Sequence, residues 1–277
     1  LSHDLYREFR QAADRPEDKI DLGRAALTIA LSDYPNLDIV SYLARIAALA
    51  ADVINRCGDE IDVYRRLAAL NYVLFKQHEF RGNDKDYYDP KNSFLNEVLE
   101  RKTGIPITLS VLYIEVAQRI GLALEGVNFP GHFLVKREST DGEIVIDPFH
   151  GGAIKTAEDL AATLRGLYGA KAALKPEFLE PASKKQILKR MLGNLKAIYL
   201  RGGDFGKALS VCDRLIILDP TAAEEFRDRG AVYLQLECFT QAREDFENYI
   251  TLAPNARDGA AVREQLVALT KRATLIH

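Results

Sequence analysis

Two stretches near the end of this 277-residue chain match each other at one fixed offset. Tyr199 corresponds to Tyr233, Phe205 to Phe239, Ala208 to Ala242, Leu218 to Leu252 and Pro220 to Pro254, each pair 34 residues apart. A repeat of that length has few solutions. Each unit is a pair of antiparallel helices that cannot bury its apolar face alone and must stack on a neighbour. The small Ala208 and Ala242 fall where two helices approach closely, and Gly202-Gly203-Asp204 supplies the turn of the first unit. Pro220 and Pro254 end the second helix of each unit, because proline has no amide donor with which to continue it. The units cover about 189–222 and 223–256, and 258–270 forms a further amphipathic helix that caps the last one.

Ahead of the repeats the pattern changes. Helical spacing covers 18–57, with one stripe at Leu22, Ala25, Ala26, Ile29 and Ala30. A second stripe runs through Ile39, Tyr42, Leu43, Ile46 and Leu49, beyond the break at Tyr34-Pro35-Asn36. A third helix is expected from Asp59 to Lys76, and Asn92 or Ser93 caps a short one that runs to Leu99. Pro106 opens the next helix, since the first helical position needs no amide donor. Ile107, Leu109, Val111, Leu112, Ile114, Val116 and Ala117 make that helix apolar nearly all round, so it should be buried and central. Glu115 and Arg119 can pair across one of its turns. Strands are expected at 124–128, 132–137 and 143–149, with Asp141-Gly142 turning the hairpin, and helix returns from Thr156. The segment from Lys175-Pro176 to Pro181-Ala182-Ser183 reads as a linker that divides the chain into 1–175 and 183–277.

The hairpin carries the residues with chemical capability, His132 and Asp147. Two registers are open. A two-residue Asp-Gly turn sets His132 opposite Gly151; a longer loop sets it opposite Phe149. Strand side chains alternate with period two, so in both registers His132 and Asp147 share a face, and the longer loop makes them diagonal neighbours within reach. An aspartate accepting from one ring nitrogen would leave the other as a base. The same parity puts His150 on the opposite face. A metal triad of His132, Asp147 and His150 is set aside on that ground, and no metal or cofactor is expected.

Composition narrows the partners. The net charge is −3, which gives no electrostatic reason to expect nucleic acid or an anionic membrane. No apolar run reaches the ~18 residues of a membrane span, and the first residues are charged and lack a signal-peptide core. Cys57, Cys212 and Cys238 form no C-x-x-C pair, which fits a reducing compartment and a cytoplasmic location.

Several short motifs then converge. They are Phe80-Arg81-Gly82-Asn83, Tyr87-Tyr88-Asp89-Pro90 with Asn92-Ser93, Gly104-Ile105-Pro106-Ile107-Thr108-Leu109-Ser110, Phe129-Pro130-Gly131-His132-Phe133 and Ile146-Asp147-Pro148-Phe149. In these the chain resembles the bacterial SirB-type transglutaminase-like proteins, over nearly its whole length. The resemblance implies an α+β, papain- or transglutaminase-like core of helices plus a small antiparallel sheet. An all-α tetratricopeptide repeat domain follows it. It also implies a Cys, His and Asp in that chain order, and His132 and Asp147 match the second and third members. The first does not match: counted back from Arg119 and Gly121, its slot falls at Pro106 or Ile107. Thr108 and Ser110 are the nearest hydroxyls, with Thr108 in the first turn, where the helix dipole favours an anion.

Two functional readings follow. In one, the domain is non-catalytic, and the chain is an adaptor or regulator that binds a protein or peptide through its cleft and repeats. In the other, it is an acyl-transfer enzyme or an amide or ester hydrolase. Thr108 or Ser110 would attack, His132 would be the base and Asp147 would orient it; the hydroxyl should then lie within ~3.5 Å of a His132 ring nitrogen.

Overall fold

The computed structural model describes residues 2–58, 60, 62–139 and 142–274. The chain begins with α1 (Ser2–Ala13), α2 (Leu22–Ile29), α3 (Ile39–Cys57) and α4 (Val63–Asn71), the last running into a wider π-helical turn at Tyr72–Gln77. Then come β1 (Arg81–Gly82), α5 (Leu95–Arg101), β2 (Thr103–Gly104), α6 (Pro106–Arg119), β3 (Glu125–Val127), β4 (Leu134–Ser139), β5 (Gly142–Asp147), β6 (Ala153–Lys155), α7 (Ala157–Tyr168) and β7 (Pro181–Ala182). The helices α8 (Lys184–Gly202), α9 (Phe205–Leu218), α10 (Ala223–Gln235), α11 (Phe239–Leu252) and α12 (Gly259–Thr274) complete it. Asp21, Asp38, Asp62, Thr156 and Asp204 cap α2, α3, α4, α7 and α9, each accepting from a first-turn amide that has no partner within its helix. Asp59, where the third helix was expected to start, lies outside the described residues.

Two compact units emerge. One is Arg15–Met191; the other joins Leu1–Asp14 to Leu192–His277, and the division falls inside α8. The expected division grouped residues 1–175; α1, a helix the sequence reading did not single out, clusters with the repeats.

In the first unit α6 is the central rod. Every residue from Pro106 to Ala117 is buried. Its one carboxylate, Glu115, is buried and held by two donors that offset its lost hydration: Arg119 at 2.7 Å one turn on, and the Gly23 amide of α2 at 3.0 Å. A five-stranded antiparallel sheet, in the order β6-β5-β4-β3-β7, packs against α6 through β3 and β4. Val127, Phe129, Leu134 and Val145 form a second cluster with Leu160 and Leu164 of α7. The stretch read as a linker is partly sheet, because Pro181 and Ala182 pair with Val127 and Gly126. In the hairpin, Ser139 pairs with Gly142 and Val135 with Ile146, the register that sets His132 level with Phe149, though only two residues separate the last pair; these, Thr140 and Asp141, lie outside the described residues.

In the second unit α8 with α9, and α10 with α11, form the expected helix pairs. Ala208 and Ala242 are fully buried where the pairs close. Ala223, Phe246, Tyr249, Val262 and Leu269 make one core with α12, the capping helix. Arg229 of α10 bridges Asp213 of α9 and Asp245 of α11, at 2.7 Å to each. Lys196 holds Glu225 at 2.6 Å and Asp228 at 2.7 Å. The N-terminal α1 contributes Phe9, fully buried, and Tyr6, whose hydroxyl donates to Asp213 at 2.7 Å. Their rings cover the buried Arg214 guanidinium at 5.8 and 5.2 Å, a cation–π arrangement.

Candidate active site

Asp147 is the last residue of β5 because Pro148 cannot donate to a ladder. Its carboxylate caps the tight turn Pro148–His150 by accepting from the His150 amide at 3.3 Å. Gly151 and Gly152 follow at φ +70° and +75°, a left-handed pair that only glycine adopts without strain. They send the chain back as β6, which pairs Asp147 with Ala153. The turn swings the His150 ring round onto the carboxylate that begins it, and β6 brings Lys155 to the same oxygen.

His132 arrives from the other side. It sits in a turn just before β4, its amide donating to Phe129 O at 3.0 Å. His132 Nε2 lies 3.0 Å from Asp147 Oδ1, and His150 Nδ1 lies 2.7 Å from Oδ2. Lys155 Nζ stands 3.4 Å from Oδ2. One carboxylate, 1% exposed, thus gathers two imidazoles and an ammonium. Burial pushes its pKa up, but hydrogen bonds and charge from His132, then from His150, outweigh that and hold it well below the usual carboxylate range. The Phe149 ring stacks edge-on to both imidazoles and lies so close to Gly82 that a Cβ there would stand 2.6 Å from it.

A cavity of about 320 Å³ opens on this cluster. His132, Asp147, His150 and Lys155 form its polar side, and Phe129, Leu134, Leu160 and Leu167 its apolar side. Gly131, at φ +72°, allows the approach of α7: a Cβ there would be 2.6 Å from Leu167.

The expected hydroxyls are placed elsewhere. Thr108 Oγ1 accepts from the Ile105 amide at 3.1 Å and donates to Asn92 O at 2.7 Å, so it closes the start of α6. Ser110 Oγ is buried and makes no hydrogen bond, to His132 or to any other described residue. Thr108 and Ser110 therefore lack the contact that the enzyme reading required; both belong to the stretch of α6 in which every residue is buried. None of the three cysteines lines the cavity. Cys212 is buried in the other unit, its thiol pushed up to about 12 by desolvation.

His150 requires a correction. Strand parity placed it on the far face, but parity holds only while the strand lasts, and Pro148 ends the strand one residue after Asp147. The Asp147-Pro148 pair, with Gly151-Gly152 beyond, was the signal for a turn. Lys155 and the cavity wall from α7 left no comparable local mark.

The comparisons with known proteins agree with this anatomy. The model of the transglutaminase-like superfamily matches residues 40–193, and a tetratricopeptide repeat model matches 195–267. A UPF0162 protein of Xylella fastidiosa strain 9a5c is 38% identical over 266 residues, covering 94% of each chain. A UPF0162 protein of Vibrio cholerae is 30% identical over 258 residues, 93% of this chain and 95% of its own. Protein SirB1 of Salmonella typhimurium is 27% identical over 246 residues, 88% of this chain and 90% of its own. On the length and identity of those matches, this chain belongs to the transglutaminase-like superfamily and, within it, to the family of the UPF0162 and SirB1 proteins, with tetratricopeptide repeats in its C-terminal region.

Proposed function

We propose that this chain is a binding protein, not an acyl-transfer enzyme, and that it engages a protein or peptide through its cleft and its repeats. The observation that carries the reading is the start of α6. Pro106 or Ile107 stands where the resemblance puts the nucleophile, Thr108 is committed to Asn92 and Ile105, and Ser110 makes no bond to His132. A hydroxyl is a weak nucleophile and depends on a hydrogen-bonded base, which neither residue has. What remains is a cavity with an apolar wall and a polar rim, suited to seating a side chain. Helix-pair repeats usually serve protein interaction. We place the protein in the cytoplasm: its three cysteines are free, and no helix among the described residues is long and apolar enough to cross a membrane.

Turnover decides the matter. Purified full-length protein is incubated with activated esters and with peptide amides, beside a His132→Ala variant. The expected result is no rate above the buffer background for either. A rate that disappears in His132→Ala would restore the enzyme reading.

A further inference from the structure

We propose that His132, Asp147 and His150 form a binding site for a divalent transition-metal ion of the zinc type. The two ring nitrogens approach different oxygens of one carboxylate, at 3.0 and 2.7 Å, and the three donors all lie within 4.8 Å of one another. Two imidazole nitrogens and a carboxylate oxygen suit zinc and its first-row neighbours; magnesium and calcium favour oxygen throughout. An ion about 2.0–2.2 Å from each donor sets the donors roughly 3.0–3.5 Å apart, so the two nitrogen–oxygen pairs open by a few tenths of an ångström and donors as far as 4.8 Å apart draw in by roughly 1–2 Å.

The surroundings favour an ion. The shared carboxylate is already desolvated, so it is a strong ligand whose burial has been offset by the fold. The His150 side chain is 55% exposed, which gives the ion a way in and lets that ring close last. The adjoining cavity leaves at least one coordination position open beside three protein ligands, the arrangement of zinc sites that bind an exchangeable water or ligand. One group opposes it: Lys155, 3.4 Å from Oδ2, must yield the carboxylate to the ion. The site needs no nucleophile at the start of α6, so it stands whether the cleft binds a peptide or turns one over.

The test uses the full chain, freed of metal with a chelator that is then removed. Zinc ion is titrated by calorimetry, and cobalt(II) by its visible absorption, near neutral pH. Wild type should bind one ion per chain. His132→Ala, Asp147→Asn and His150→Gln should each weaken binding by at least about tenfold, the loss that even outer partners of a metal produce. His78→Ala, which removes a ring paired with Asp52 at 2.7 Å and not part of the cluster, should bind as wild type does. Lys155→Met should tighten binding, because the competing ammonium is gone. His150→Gln alters a largely exposed ring, so it carries the test alone if His132→Ala does not fold. Three results would overturn the site: no stoichiometric binding, binding that survives His150→Gln, or binding that Lys155→Met leaves unchanged or weakens.

Discussion

Asp147 is the residue on which the cleft converges, and its protonation ties the cleft to stability. Hydrogen bonds and charge from His132 and His150 overcome burial and lower its pKa in the folded chain. Its contribution is therefore complete above the ordinary aspartate value of about 4 and is lost as pH falls through the lower folded value. Asp147→Asn should cost about 1–3 kcal/mol at neutral pH, by taking from His132, His150 and Lys155 the charge they gather round. Denaturant titrations at successively lower pH should show the gap between variant and wild type closing below about pH 4. A second residue-scale prediction concerns Gly23. A Cβ there would stand 2.5 Å from Glu115 Oε2, on a carboxylate held by both Gly23 N and Arg119. Gly23→Ala should destabilise by about 1–3 kcal/mol, despite the better helix propensity of alanine.

At the scale of elements, the repeats depend on close helix approach. Gly230 of α10 faces α11 so tightly that a Cβ would stand 2.8 Å from the Phe246 ring and 3.3 Å from Ala242 O. Gly193 of α8 has nothing within 4 Å of that position. The same substitution should act in opposite directions at the two sites. Gly230→Ala should cost about 1–3 kcal/mol by overpacking, and Gly193→Ala should add up to about 1 kcal/mol by helix propensity. Thermal unfolding of the two single variants, side by side, checks the contrast. If both substitutions stabilise, the α10–α11 contact is looser than described.

For the whole molecule, what stands out is how far apart in sequence the parts of one unit are. Two repeats are fewer than the usual three of a free-standing array. Here α12 covers the end of the second pair, and α1 brings Tyr6 and Phe9 onto α9 from the far end of the chain. Phe9→Ala should remove a fully buried ring and uncover Arg214, at a cost of about 3–5 kcal/mol. Urea unfolding followed in the unit of repeats should register this loss. An effect below about 1 kcal/mol would mean that α1 adds little to that unit.

The sequence by itself determined whatever short-range physics controls. A fixed 34-residue recurrence with alanines and prolines in phase specified the helix pairs. A run apolar on all sides behind Pro106 specified a buried central helix. The sequence brought His132 and Asp147 together by strand alternation, and they do meet at 3.0 Å, but through the turn that ends at His132, since β4 starts only at Leu134. Tertiary structure alone decided the rest. His150 and Lys155 reach Asp147 through a proline-ended strand and two left-handed glycines, whose combined rotation no periodicity encodes. The short β6 and β7 are stabilised by their neighbours and carry almost no pattern of their own. Thr108 is a plausible nucleophile on paper, but its hydroxyl accepts from Ile105 at the local start of the helix and donates to Asn92, which folding brings beside it. The contacts that join separate segments, Thr108 with Asn92 and His132 with Asp147, have energy only once the backbone has closed around them.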